Sequence, residues 1–185
     1  MVKLHGLLAI CLAGALAGCA SMPEEMALDS TVHSEANAGL VVGALIEGGP
    51  YGTWLEFRDI NTGKTYGWGA KNYYSAWLPA GEYEVSSLGS RRGVMGPYLK
   101  PLRFSVTQGQ INYLGELVYG CPSSSRPDAV YGVKNCGFLA LGSCSVPSPD
   151  VSICIVNRQE QAVRSFLLKN PDRADLPVRA SLMGR

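Results

Sequence analysis

Few side chains of this sequence could carry out covalent or acid–base catalysis. A Ser/His/Asp or Cys/His arrangement requires a histidine, and after the first few residues the chain has only His33. A glycoside-cleaving pair of carboxylates could come from Glu56, Glu82, Glu84 or Glu116, but Glu82 and Glu84 alternate with apolar residues and are better explained as solvated charge. The common nucleotide-binding, zincin and nucleophile-elbow motifs are missing. The sequence therefore predicts a protein that is not an enzyme and requires no metal or cofactor.

The first residues indicate export. Lys3 precedes an apolar run from Gly6 to Gly18, which has the length of a signal-peptide core and is too short to span a bilayer. The run ends in Leu16-Ala17-Gly18-Cys19, which resembles the lipobox of bacterial lipoproteins. An ordinary secretory signal that happens to end beside a cysteine is the alternative interpretation.

The lipobox resemblance implies a defined modification. Leu16, Ala17 and Gly18 would be read by the lipoprotein signal peptidase, residues 1–18 would be removed, and Cys19 would become an N-terminus carrying fatty acyl chains such as palmitate. Each buried methylene contributes about 0.8 kcal/mol, so several chains hold a protein on a membrane. Ala20 and Ser21 follow without an adjacent Asp, which resembles the sorting pattern for the periplasmic face of the outer membrane.

Four cysteines remain in the exported chain. An even number of cysteines in an oxidising compartment predicts two disulfides, and three pairings are open. The turn signals that separate the first two cysteines and the last two favour local pairs. A four-thiolate zinc site is the alternative, although the sequence has no C-x2-C spacing. The cysteines are Cys121, Cys136, Cys144 and Cys154.

An aromatic-rich window runs from Tyr51 to Trp77. Period-2 alternation predicts that some of its rings face solvent, where they could stack on a sugar or anchor a protein partner. The candidates for such a binding surface are Trp54, Tyr66, Trp68 and Tyr73. The alternative is that the rings fill the core and edges of the domain.

Composition and charge narrow the classes of partner. The chain is 46% hydrophobic and only 17% charged, which excludes wholesale disorder. Removing residues 1–18 takes away Lys3, which leaves 15 basic and 15 acidic residues, so no nucleic-acid partner is expected. Residues 19–37 lack Lys, Arg and aromatic residues and are expected to form an acidic tether, followed by one domain over residues 38–185.

The segment from Gly39 to Val118 has the turn spacing of an all-β domain. Alternation places Leu55 and Phe57 on one face of a strand and Trp54 on the other. We expect an antiparallel sandwich, because sheets with one buried and one solvent-exposed face are typically antiparallel. The expected strands lie near residues 39–46, 53–60, 64–69, 73–78, 82–88, 102–107 and 110–118.

Two stretches of this segment carry a family resemblance. Residues 78–85 (LPAGEYEV) place a Pro-x-Gly turn before a strand, and residues 104–115 (FSVTQGQINYLG) join two strands through a Gly turn. Together they resemble the prealbumin-like, or carboxypeptidase-regulatory-like, β-sandwich of bacterial lipoproteins. The resemblance implies a fold and an accessory or interaction role, and it assigns no catalytic residue.

The last part of the chain predicts one helix. Val151 to Val156 has the composition of a short strand, and the next four residues, NRQE, resemble a capping box. Val163, Phe166 and Leu167 then share one face of a helix over residues 158–169. The expected fold is mainly β, an antiparallel sandwich of about seven to nine strands with one C-terminal amphipathic α-helix packed on it.

The expected function is that of a non-enzymatic, lipid-anchored envelope lipoprotein that presents a disulfide-braced sandwich as a binding or assembly module. Its partners would be the membrane, through the anchor, and another envelope protein. The alternative is a lipoprotein that binds glycan, with peptidoglycan as its ligand, or that inhibits a peptidoglycan-cutting hydrolase.

Overall fold

The computed structural model describes residues 23–46, 54–69, 72–90, 93–95, 98, 100–119, 130–136, 142–148 and 153–184. Thirteen strands and one α-helix lie in this part of the chain. The strands are β1 (Glu24–Glu25), β2 (Ala38–Ile46), β3 (Trp54–Asp59), β4 (Thr65–Trp68), β5 (Asn72–Pro79), β6 (Gly81–Ser90), β7 (Gly93–Met95), β8 (Arg103–Val106), β9 (Ile111–Tyr119), β10 (Val130–Cys136), β11 (Gly142–Ser148), β12 (Ile153–Val156) and β13 (Val178–Ala180). Helix α1 is Gln159–Lys169, and a 3-10 turn follows at Pro171–Arg173.

The strands form two sheets, which confirms the expected sandwich. The first sheet has the order β1-β4-β3-β6-β7-β10-β11, with β8 also paired to β6. The second has the order β12-β9-β2-β5, with β13 also paired to β9. The described residues therefore contain more strands than the seven to nine expected, because β1, β7, β10, β11 and β13 lie where the sequence shows no clear alternation.

Alternation located the strands of the first half well. Each of the seven strands expected between residues 39 and 118 is present, with both ends within two residues of the expected bounds. Leu55 and Phe57 face the interior and are fully buried, whereas Arg58 is exposed on the opposite face. A tight turn follows β3, where Asp59 Oδ1 accepts hydrogen bonds from the backbone N–H groups of Asn61 and Thr62 at 2.8 and 2.9 Å.

The core between the sheets is rich in aromatic rings. Phe57 lies edge-on to Trp68 with 4.9 Å between ring centroids, and Phe104 stacks on Tyr83 at 5.6 Å. The hydroxyl of Tyr83 donates to the carbonyl oxygen of Pro79 at 2.7 Å, so this buried ring keeps a hydrogen bond. Such contacts bury large areas with few rotatable bonds, and they fix the two sheets relative to each other.

The sheets are mixed, which corrects the expectation of a purely antiparallel sandwich. The second sheet has a parallel pair at its centre, β2 against β9, and β13 is also parallel to β9. Both faces of β2 are buried: Val41 faces the core between the sheets, and Val42 packs in a separate cluster beneath α1. Parallel strands occur where both faces are covered, and α1 supplies the second cover.

Helix α1 lies on the outer face of the second sheet, as its apolar stripe predicted. Ala162, Val163 and Phe166 are buried there against Trp77 and Tyr113. The predicted capping box does not form, because the N-cap residue is Arg158 and no side chain caps the helix there. The side-chain oxygen of Asn157 accepts a hydrogen bond from the N–H of Gln159 at 3.1 Å. The helix ends at Lys169, directly before Asn170 and Pro171.

Residues 23–37 contact the domain, which differs from the expected tether. Strand β1 pairs in parallel with β4, and the carbonyl oxygen of Ala27 then accepts a hydrogen bond from Trp77 of β5 at 3.2 Å. Met26 is buried in the core between the sheets. The segment therefore covers the edge strands of both sheets, which would otherwise present unpaired backbone groups.

One end of the sandwich is built from short connections, and we call it the short-turn end. It carries the turn before β2, the β3–β4 turn, the β5–β6 turn and the β8–β9 turn. The strand ends next to these turns lie side by side, since Ala38 pairs with Pro79, Gly81 with Val106, and Leu40 with Ile111. The segments of the short-turn end are residues 30–37, 60–64, 80 and 107–110, together with the start of β13. Trp54, Trp68 and Tyr73 lie towards the opposite end.

Candidate functional site

Two residues of the predicted binding surface belong to the core. Tyr66 and Trp68 alternate on the inward face of β4 and are both buried. The Trp68 ring lies 4.9 Å from Phe57 and 4.9 Å from Tyr74, centroid to centroid. The assignment of Tyr66 and Trp68 to a binding surface is therefore wrong. Alternation predicts that some rings of the window face solvent, but the face of β4 that Tyr66 and Trp68 share turns towards the other sheet.

The other two predicted residues face outward on different sheets. Trp54 lies on the outer face of the first sheet, where its ring covers Gly67 so closely that a Cβ there would come within 2.5 Å of it. Tyr73 lies on the second sheet and is 48% exposed. Among the described residues, the exposed aromatic side chains therefore do not form a coplanar row.

Tyr73 ends a row of side chains that crosses three strands. It pairs in register with Ala44 of β2, and Ala44 pairs with Glu116 of β9. The small alanine lets the Tyr73 hydroxyl come within 3.5 Å of Glu116 Oε1. Glu116 is 0% exposed, although it lies on the outer face of the sheet.

Arg158 balances the charge of this buried carboxylate. Its Nη1 lies 3.0 Å from Glu116 Oε2, and its side chain is 52% exposed. The backbone N–H of Arg158 donates to the hydroxyl of Tyr113 at 2.9 Å, which fixes the start of α1 over β9. Burial raises the pKa of Tyr113, and the hydrogen bond from Arg158 partly offsets that rise. The row therefore joins β5, β2, β9 and the start of α1.

A groove opens beside this row, between α1 and the edge strand β5. Its volume is about 440 Å³, and its lining includes Val42, Tyr73, Ser75, Phe166, Leu168 and Lys169. Leu168 is 78% exposed and adds apolar surface to this lining. The groove thus combines an apolar wall, an exposed aromatic ring and one cation, and it could take an apolar side chain or a short segment of another protein.

A second buried carboxylate lies on the first sheet and corrects another expectation. Glu84 is 5% exposed, although alternation suggested a solvated position like that of Glu82. Arg58 forms an ion pair with Glu84, with its Nε 2.9 Å from Glu84 Oε1, and Arg103 Nε lies 3.7 Å from Oε2. The stems of the two arginines exclude water from the carboxylate, so this cluster joins three strands and leaves no open acid for catalysis.

His33, the histidine considered for catalysis, forms a hydrogen bond with Glu24 that has a structural role. Its Nε2 lies 3.0 Å from Glu24 Oε1, and Lys64 pairs with the other oxygen of Glu24. The hydrogen bond from Lys64 and the contact with His33 hold the pKa of Glu24 below its usual value. The same hydrogen bond raises the pKa of Lys64. These contacts attach the turn before β2 to the β3–β4 turn.

The described part of the chain offers neither a cluster of metal-ligating side chains nor a membrane-spanning helix. It contains no group of three or more His, Cys, Asp or Glu placed to hold a metal ion. Within the same residues, no helix is long and apolar enough to cross a membrane.

The lipobox and Cys121 lie outside the described residues. The backbone of the other three cysteines is described: Cys136 pairs with Gly142, Cys144 with Lys134, and Cys154 with Val118. The disulfides and their pairing remain predictions.

Sequence reasoning missed the pairing of Glu116 with Arg158. The sequence shows Glu116 only as one of several carboxylates and Arg158 only as part of a predicted helix cap. The two residues lie 42 positions apart in the chain. Their contact depends on β9 lying next to β12, which no local pattern reports.

The comparisons with known proteins add no relative: no protein-family model, no curated protein and no solved structure matches the chain.

Proposed function

We propose that this protein is a non-enzymatic outer-membrane lipoprotein, acylated at Cys19, that presents its β-sandwich to the periplasm as a binding or assembly module. The observation that carries the proposal is the position of the lipobox. Cys19 stands five residues before Glu24, where strand β1 pairs with β4, so a cleaved and acylated chain would consist almost entirely of anchor and sandwich. The turn and core residues that resemble prealbumin-like accessory modules point in the same direction.

The proposed contact surface for an envelope partner is the groove between α1 and β5, with Tyr73 at its rim. Exposed aromatic and aliphatic groups next to a desolvated charge pair are features of protein-binding surfaces. A flat glycan would need several exposed rings in one plane, and Trp54 and Tyr73 lie on different sheets. A protein partner is therefore favoured over peptidoglycan. The predicted disulfides would brace the second half of the domain.

The anchor is tested by growing cells with a labelled fatty acid. The protein with Cys19 should incorporate the label and sediment with the outer membrane, and Cys19→Ser should do neither. Label in the serine variant would show that another residue carries the chains, and the lipoprotein assignment at Cys19 would be wrong.

The contact surface is tested by crosslinking in intact cells. Tyr73→Ala should weaken the crosslinked complex, whereas Trp54→Ala, an aromatic truncation on the other sheet, should not. Thermal unfolding of both variants checks that the domain stays folded. A complex lost in Trp54→Ala and kept in Tyr73→Ala would place the contact on the first sheet and refute the groove.

A further inference from the structure

We infer that the short-turn end of the sandwich rests on the lipid surface of the membrane, so that Tyr73, towards the opposite end, lies away from it. The inference rests on the proposed acylation of Cys19 and adds an orientation, which neither the lipobox nor the sandwich by itself specifies. Three observations carry it.

The first observation is the short distance between the anchor and the domain. Five peptide units separate Cys19 from Glu24, where β1 begins to pair with β4. Even a fully extended chain of that length spans only about 17 Å. The point where the chain enters the domain must therefore lie close to the headgroups, whereas a tether running to residue 37 would have allowed the domain to tumble far from the bilayer.

The second observation is the direction in which the chain enters the domain. Strand β1 is parallel to β4, with Glu24 opposite Tyr66 and Glu25 opposite Gly67. Pro23, the residue before β1, therefore lies on the side of the start of β4, beside the β3–β4 turn. The ion pair between Glu24 and Lys64 holds this entry point at the short-turn end.

The third observation is the set of apolar side chains at this end. Val32 lies in the turn before β2, Ile60 in the β3–β4 turn and Val178 at the start of β13, and all three are exposed. They make up half of the six exposed large hydrophobic residues among the described part of the chain. Scattered apolar residues need no explanation, but three on the turns next to a lipid anchor fit contact with the apolar edge of the headgroup region.

The short-turn end is also rigid enough to transmit an orientation. Asn112 is fully buried and holds the β8–β9 turn, since its Oδ1 accepts from the N–H of Thr107 and its Nδ2 donates to the carbonyl oxygen of Thr107, both at 2.9 Å. Gln108 in that turn donates to the carbonyl oxygen of Ala36 at 2.6 Å, which joins it to the turn before β2. A short anchor attached to a stiff end favours one face of the domain towards the bilayer.

The experiment compares two positions at either end of β4 in the acylated full-length mature protein. Thr62 is exposed in the β3–β4 turn, and Gly69 is exposed just after β4, so the whole strand, about 13 Å long at strand rise, lies between them. Thr62→Cys and Gly69→Cys are each labelled with a thiol-reactive fluorophore, and the unsubstituted protein is labelled in parallel to give the background of its own cysteines. The proteins are reconstituted into phosphatidylethanolamine and phosphatidylglycerol vesicles that contain a lipid with a nitroxide on its headgroup.

The fluorophore at Thr62 should be quenched severalfold more than the one at Gly69. Inserting 20 Gly and Ser residues between Ser21 and Met22, which adds a mean span of about 25 Å, should make the two values converge. Equal quenching at the two positions without the insertion, or stronger quenching at Gly69, overturns the orientation.

Acyl-chain mass and vesicle flotation are measured on the same samples. A protein that is acylated and floats with the vesicles but shows equal quenching refutes the orientation alone. A protein that carries no acyl chain and does not float refutes the proposed anchor, and the orientation with it.

Discussion

The buried pair of Glu116 and Arg158 gives an asymmetric prediction about stability. Glu116 is 0% exposed, whereas the Arg158 side chain is 52% exposed. Replacing Arg158 with Met leaves a buried carboxylate without its cation. Replacing Glu116 with Leu leaves an arginine that solvent can still reach. Arg158→Met should therefore destabilise the protein strongly, and Glu116→Leu should destabilise it little.

The magnitude follows from the different burial of the two partners. Removing one member of a buried ion pair costs about 3–5 kcal/mol, chiefly because the remaining charge has no compensation. Water reaches one side of this pair through the exposed arginine, so we expect about 3 kcal/mol for Arg158→Met, at the lower end of that range. For a domain of this size the midpoint of thermal unfolding should fall by about 6–12 °C. Glu116→Leu should cost less than about 1 kcal/mol, because a leucine of similar volume suits a buried position on the sheet.

The assay is equilibrium unfolding of the purified mature protein in urea at neutral pH. The double variant Arg158→Met with Glu116→Leu should recover most of the stability lost in Arg158→Met, because it leaves no buried charge. Arg164→Met is the matched control, since Arg164 is an exposed arginine on the same helix. If Arg158→Met costs no more than Arg164→Met, or if Glu116→Leu is the more damaging single change, the reasoning is refuted.

Three further predictions concern the core, the ion pair of Glu24 and the cysteines. Phe57→Ala should cost about 3–5 kcal/mol in urea unfolding, because Phe57 is fully buried between Trp68 and Phe104, and a loss below about 1 kcal/mol would contradict the packing described here. Because the Glu24 carboxyl has a lowered pKa when folded, its interaction adds stability above the unfolded value of 4.5 and loses it as the pH falls through the folded value. Lys64→Met should therefore remove up to about 1 kcal/mol at pH 7 and progressively less in acid, since the pair is partly exposed, and an equal loss at all pH values would contradict the assignment. Thiol titration of the denatured, unreduced mature protein should give no reactive thiol, whereas four thiols with bound zinc would replace the disulfides by a metal site.

The sequence alone located most strands and the helix. Leu55 and Phe57 alternate with polar neighbours, and Val163 and Phe166 share a helical face, so the backbone geometry that buries them could be read locally. The turn after β3 is also a local feature, because Asp59 forms it through hydrogen bonds with Asn61 and Thr62, two and three residues further along the chain. These features needed no knowledge of which strands are neighbours.

The arrangement of those elements was decided by tertiary structure. Alternation shows that two side chains share a face of a strand, but not whether that face meets the other sheet, a helix or solvent. For that reason alternation could not show that Tyr66 and Trp68 face the core. It also could not show that Glu84 is buried, because the contacts of Glu84 with Arg58 and Arg103 depend on which strands are neighbours. The row that joins Tyr73 to Glu116 requires β5, β2 and β9 to lie side by side. The segment expected to be a tether belongs to the fold because β1 pairs with β4. Glu24 and Glu25 show no local strand pattern, and their backbone partners lie in a strand about 40 positions away in the chain.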